Sequence, residues 1–261
     1  MPVRGFRSTR ASLHSVQTIT SILCNHHISK TISFQSVNNA MLSRVANSLY
    51  WLSRYLERAE NLARLVEVNR YESLDSIDPD PWRPLLYTTC TEKIFRESKE
   101  QDVGMFISFS ADNPDSIREC VAHARENARM VRDQISEEIW RDLNRFHLFI
   151  RSENAVELWQ NQPETFHRRT IEFCMLLSGL IHATVLHDEG WHFMQIGKLI
   201  ERADKTTRVL DMLAYYQGIA PRAKLASALK SCSAFNAFQA EYRSGISLDN
   251  AMSFLLFSAS F

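Results

Sequence analysis

The sequence reads as an all-α protein, a helical bundle in which two long helices carry the same charged motif. Three observations point there. Only seven glycines and seven prolines occur in 261 residues, and they fall mostly between long periodic stretches. So few breakers over so long a chain favour helices. Within those stretches apolar residues recur at alternating spacings of three and four, which is the signature of one buried helix face. No segment shows a convincing strand pattern, and residues 105–110 are the single ambiguous stretch.

Residues 1–40 hold Arg4, Arg7, Arg10 and Lys30 with no acidic residue, are rich in Ser and Thr, and lack a helical stripe. They read as a disordered or non-native extension, in composition like a transit peptide or a translated upstream stretch. Met41 is then the expected functional start, and residues 41–261 are the folded domain. A long helix is expected over residues 42–73, with Val45, Leu49, Leu52, Leu56, Ala59, Ala63 and Val66 as its core stripe. Pro79, Pro81 and Pro84 end it. A second helix follows over residues 85–100, then a connector containing Gly104. Asp112-Asn113-Pro114 reads as a cap with proline in the first turn, opening a helical stretch to about residue 151 that bends near Ser136. Pro163 starts a helix to about residue 187, Gly190 interrupts, and the next helix runs to Tyr216, closed by Gly218 and Pro221. Two shorter helices, 223–241 and 248–257, complete the bundle.

Composition removes several classes of function. Net charge is zero, with 30 basic and 30 acidic residues, so bulk charge offers no nucleic-acid footprint. No apolar run is long enough for a membrane span. Five widely spaced cysteines form no CxxC pair, which argues against a zinc ribbon or disulfide scaffold and for a reducing, cytoplasmic compartment. The glycines never approach a phosphate-binding loop pattern, and no GxSxG elbow occurs. Cys120 and Cys174 lie within helical apolar patterns and read as inert core. His182, His187 and His192, five apart, should spread around a helix rather than cluster. Trp51, Trp140, Trp159 and Trp191 read as packing anchors.

The informative feature is internal. Shifted by 144 positions, Arg54-Tyr55-Leu56-Glu57-Arg58-Ala59-Glu60 matches Lys198-Leu199-Ile200-Glu201-Arg202-Ala203-Asp204, and Arg64-Leu65-Val66-Glu67 matches Arg208-Val209-Leu210-Asp211. Helix geometry puts Glu57, Glu60, Arg64 and Glu67 in one row at the shoulder of the core stripe, and Glu201, Asp204, Arg208 and Asp211 in the corresponding row. The core stripe of the second copy reads as Phe193, Ile196, Ile200, Ala203, Thr207 and Leu210. Ser53 and Gly197, one turn earlier in each row, would admit a neighbouring backbone. Three readings follow: the rows meet in an interhelical arginine–carboxylate network, they are solvated faces of i,i+4 pairs, or they line a ligand site. Arg58 and Arg202 could serve an anion site, although Arg58 falls on the aromatic side beside Trp51 and Tyr55, where stacking or surface placement is the simpler expectation. A carboxylate-bridged metal site would need E-x-x-H pairs, which neither copy has, and the arginines in the rows oppose cation binding.

The segment Leu42-Ser43-Arg44-Val45-Ala46-Asn47-Ser48-Leu49-Tyr50-Trp51, running into Glu57-Arg58-Ala59-Glu60-Asn61, resembles the opening of the bacterial alpha-E domain family. Asp188-Glu189-Gly190-Trp191-His192-Phe193, followed by Glu201-Arg202-Ala203-Asp204, resembles its second hallmark, and Arg125-Glu126-Asn127-Ala128-Arg129 its central helix. That resemblance implies a helical domain without an established activity, found beside or fused to ATP-grasp-type ligase-like proteins and near transglutaminase-like proteins. The expected function is therefore a non-catalytic accessory or scaffold for an ATP-grasp-type ligase in a peptide-forming or peptide-modifying system. A carboxylate-rich metalloenzyme and a stand-alone structural oligomer are the alternatives. The leader 1–40 is not part of the family pattern, and the C-terminus stops where family members continue, so a C-terminal truncation is expected. No catalytic residue or cofactor is assigned.

Overall fold

The structure, a computed structural model, describes residues 41–74, 80–214, 221–243 and 245–258. The expectations for residues 1–40, for Pro79 and for the helix end at Tyr216 and Gly218 fall outside those residues. Twelve helices and no strand occur among the described residues: α1 Ser43–Leu74, α2 Arg83–Thr89, α3 Glu92–Glu97, α4 Val103–Phe109, α5 Ile117–Met130, α6 Glu137–Ile150, α7 Glu153–Asn161, α8 Pro163–Thr184, α9 Glu189–Ala214, α10 Arg222–Ser231, α11 Phe235–Glu241 and α12 Leu248–Phe257.

α1 is the axis of the bundle. Its expected core stripe is buried, apart from the half-buried Val45, and so are Leu62, Asn61, Ser53 and Glu57 on other sides of the helix. Neighbours surround it: α9, α5 and α8 pack along its length, with α2, α4 and α10 near its C-terminal half. The main core joins α1 to Phe106, Ile117, Ile139, Leu143, Phe146 and Phe166. A smaller core joins the end of α9, at Val209, Leu210 and Leu213, to α10–α12 through Leu225, Leu229, Phe238 and Phe254.

Several boundaries differ from expectation for local reasons. The helix expected over residues 85–100 breaks in two, because Cys90 adopts the left-handed conformation (φ 56°) and its N–H closes back on α2. Residues 103–109 are helix, not connector. Asp102 caps them through Met105 N–H, and Gly104 is tolerated because Trp159 lies against it, 2.8 Å from where a Cβ would stand. The cap of α5 is Ser116, whose side chain accepts from Glu119 N–H, while Asn113 and Pro114 form the turn ahead of it. Ser136 does not bend one helix. It caps a new one, α6. Ser152 likewise caps α7, which fills the stretch between residue 151 and Pro163 where the sequence predicts no helix. The stretch 223–241 divides at Ser233, which has φ 61°. Because α8 ends at Thr184, His182, His187 and His192 do not spread around one helix. They gather at the corner around Trp191, with the His187 ring stacked on it at 4.2 Å.

One correction concerns the face of α9. Ile196, Ile200, Ala203 and Thr207, expected in the core, are exposed, and Phe193 is half-buried. The buried row is instead Gly190, Met194, Gly197, Glu201, Lys205 and Val209. Gly197 and Glu201 go inside because Tyr50, Arg54 and Arg58 of α1 meet them there, and Lys205 because it reaches the Ser231 carbonyl at the end of α10.

Candidate functional site

The two motif helices touch along their charged faces. Gly197 makes the approach possible: a Cβ at this position would lie 2.3 Å from the backbone oxygen of Tyr50. No other residue fits so close a crossing. Next to it, the buried Glu201 carboxylate receives two arginines of α1. Arg54 Nε donates to Oε2 at 2.7 Å, and Arg58 grips both oxygens, Nε to Oε1 at 2.6 Å and Nη2 to Oε2 at 3.0 Å. In return Arg202 donates to the buried Glu57, Nε to Oε1 at 2.9 Å and Nη2 to Oε2 at 3.3 Å. Each Glu-Arg dipeptide therefore holds the glutamate of the other with its own arginine. Bidentate pairs of this kind fix orientation as well as contact.

Aromatic rings support the arginines. The Arg54 guanidinium stands over the Trp51 ring at 5.1 Å and over Tyr50 at 5.7 Å, and Arg58 over Tyr55 at 5.7 Å. Arg58 also reaches Asp115 on the turn before α5. Burial acts to lower the pKa of Arg58, but the hydrogen bonds and charge of Glu201 outweigh it and hold the guanidinium above the ordinary arginine range. Arg202 is raised in the same way by Glu57. The placement of Arg58 is thus both stacked and inside, not on the surface.

The remaining motif residues do not join the exchange. Arg64 pairs with Glu60 of its own helix at 2.8 Å, and Arg208 with Asp204 at 3.0 Å, so the rows expected to meet are i,i+4 pairs instead. Arg54 and Lys198 occupy matching positions, yet Lys198 turns away to Ser178 on α8 at 2.6 Å. The two halves also differ in exposure: the Arg202 side chain is 46% exposed, Arg58 only 21%. Glu67 carries a carboxyl raised by burial, against the opposing pull of Arg64 and Arg168, and Asp211 accepts from Tyr87 at 3.0 Å.

Sequence reading passed over three contributors. Asp115 lies far from the motif in sequence and left no signal. Asn61 and Lys205 did leave one, since they occupy the same position of the two copies, four residues after each glutamate and on the same face. Lys205 is buried, donates to the Ser231 carbonyl at the end of α10, and burial pushes its pKa down. As for metal chemistry, both motif glutamates are committed to guanidinium groups, and no group of three or more His, Cys, Asp or Glu side chains placed to hold a metal ion occurs among the described residues.

A family model described as a predicted alpha-helical domain with a conserved ER motif matches residues 41–261. The chain is an Alpha-E domain. Its ER dipeptides, Glu57-Arg58 and Glu201-Arg202, are the residues that exchange partners across the two helices. Similar proteins include uncharacterized proteins of Mycobacterium bovis (strain ATCC BAA-935 / AF2122/97) and Mycobacterium tuberculosis (strain CDC 1551 / Oshkosh), each 29% identical over 197 residues. A third, from M. tuberculosis strain ATCC 25618 / H37Rv, is 28% identical over the same length. Each alignment covers 64% of this chain but 22% of the relative, so the Alpha-E chain spans about a fifth of those proteins. No solved structure matches. No described helix is long and apolar enough to cross a membrane.

Proposed function

We propose that this Alpha-E domain is a non-catalytic helical accessory module that docks on an ATP-grasp-type ligase of a peptide-forming or peptide-modifying system, in the cytoplasm. One observation carries the reading. The outer face of α9 shows Ile196, Leu199 and Ile200 at 46%, 56% and 45% exposure, in register with exposed Ala203. These residues form a helical stripe of the kind that normally enters a core. The ER exchange behind the stripe fixes α9 against α1, so the stripe is presented on a rigid element, as a docking face requires. The length of the relatives is compatible with this: the aligned stretch takes up 22% of each, and most of each relative lies outside it. The ligase as partner comes from the family likeness of the motifs.

Co-expression of the chain with the neighbouring ligase-like protein, followed by size-exclusion chromatography and calorimetric titration, tests the proposal. A complex should form, and Ile196→Glu with Ile200→Glu should weaken it at least about 100-fold, as loss of two central apolar anchors does, without lowering stability. A complex indifferent to both substitutions, or none at all, refutes the docking face. Stoichiometric iron, manganese or zinc in the purified chain would favour a metalloenzyme instead.

A further inference from the structure

Beside the Glu201 knot, a cavity of about 100 Å³ opens between α1, α2, the turn before α5, and α9. Its lining includes three cationic side chains, Arg58, Lys205 and Arg208, and three acidic ones, Asp115, Glu201 and Asp204. The formal charge of the wall is therefore balanced, but its hydrogen-bonding capacity is not. Both oxygens of Glu201 are taken by Arg54 and Arg58, and both oxygens of Asp204 face Arg208. Each guanidinium carries five N–H groups. Arg58 directs three of them at Glu201 and Asp115, and Arg208 directs three at Asp204 and Cys90. At least two N–H groups on each arginine thus remain without an acceptor among the described residues.

Asn61 adds to this surplus. It lines the same cavity, is only 6% exposed, and its Nδ2 has no partner among the described residues. A buried amide without a partner is costly, and a ligand that offers acceptor oxygens removes the cost. The spare acceptor is at the mouth, where the half-exposed Asp115 uses only Oδ1, on Arg58. Donors within, one carboxylate oxygen at the rim and no net charge together describe a small zwitterion better than a phosphate. A cavity of about 100 Å³ that is open to solvent on one side admits a small molecule of this kind.

We propose that this cavity binds a small α-amino acid, with its carboxylate held by the free N–H groups of Arg58, Arg208 and Asn61 and its ammonium group by Asp115. The site is independent of the docking face on α9, which lies on the other side of that helix.

The test is protein-observed NMR on the full chain, titrated separately with glycine, L-alanine, acetate and inorganic phosphate. Glycine and alanine should give saturable shifts of the Asn61 and Arg208 side-chain signals with a Kd of about 1 mM or tighter. Acetate and phosphate should bind at least about tenfold more weakly, because neither offers both a carboxylate and an ammonium group. Arg208→Gln should weaken glycine about tenfold or more, whereas Asp115→Asn should weaken glycine and leave acetate unchanged. Both positions are on the open side, so an unaltered melting temperature verifies the fold of each variant. Any one of three results overturns the proposal: no saturable shift at about 10 mM glycine or alanine, acetate or phosphate binding as tightly as glycine, or an Arg208→Gln variant that binds glycine as the parent does.

Discussion

Glu57 and Glu201 occupy the same place in the two copies of the motif, and the sequence alone predicts equal effects for their removal. The tertiary structure predicts unequal ones. Glu201→Ala takes the carboxylate from two arginines at once, Arg54 and Arg58, both largely enclosed and held in place by Trp51 and Tyr55. Removing one member of a buried ion pair costs about 3–5 kcal/mol, and here Arg54 is left with no carboxylate among the described residues and Arg58 with the half-exposed Asp115 alone. Glu57→Ala leaves only Arg202, whose side chain is already 46% exposed and can turn to solvent. Its cost should be nearer 1–2 kcal/mol, in the range between exposed and buried pairs. Urea unfolding of the full chain and both variants, analysed at constant m-value, measures the difference directly. Glu201→Ala should be the less stable by about 2 kcal/mol, and the gap should persist in about 1 M salt because the pair is shielded from it. Equal losses, or losses below about 0.5 kcal/mol at both sites, would refute the buried network.

Two glycines give opposite expectations. Gly197→Ala drives a methyl group into the Tyr50 carbonyl and should cost about 3 kcal/mol or abolish folding. Gly179→Ala, in α8 with nothing within 4 Å of the new Cβ, should stabilise by about 0.5–1 kcal/mol. Thermal unfolding of the two variants checks both signs. His167 is fully buried, neither ring nitrogen has a partner among the described residues, and burial, aided by Arg70, pushes its pKa down to about 3. The unfolded chain, with an ordinary histidine near 6.5, takes up the proton first, so this contribution to stability is complete above about pH 6.5. It is lost as pH falls towards 3, at about 1.4 kcal/mol per pH unit. His167→Leu should remove that slope between pH 4 and 6 while keeping stability at neutral pH, and identical slopes in parent and variant would refute the assignment. Burial also pushes the thiols of Cys120 and Cys174 up, so both should stay unmodified by a thiol reagent at pH 8 until the chain unfolds, as mass spectrometry of the labelled peptides would record.

Much of the fold was legible in the chain itself. The core stripe of α1, from Leu49 to Val66, follows from spacing alone, since a helix whose apolar residues recur in that way has one way to bury them. The repetition at an offset of 144 was equally plain, and so were the small residues Ser53 and Gly197 ahead of each charged row. Local chemistry that periodicity ignores escaped detection. Cys90 and Ser233 turn left-handed, the Ser136 cap divides what reads as one continuous amphipathic run, the Ser116 cap moves the start of α5 past Pro114, and the Ser152 cap opens a helix that periodicity does not show. Of the candidate site, the residue types were identified but not their pairing. Arg58 and Arg202 pair with glutamates across the two helices, whereas Arg64 and Arg208 pair with acidic residues of their own helix.

What the sequence by itself determined is an all-helical chain with two matched Glu-Arg helices, because periodicity, breakers and charge order are properties of a single strand of residues. Only the tertiary structure decided which face of α9 goes inside. Hydrophobicity favours burying Ile196, Leu199 and Ile200, yet Glu201 and Lys205 are buried instead and the apolar stripe looks outward. The physical reason is that a charged face is cheap to bury only when an opposite face completes it, and whether α1 supplies that face depends on the crossing at Gly197, which no stretch of sequence read alone contains.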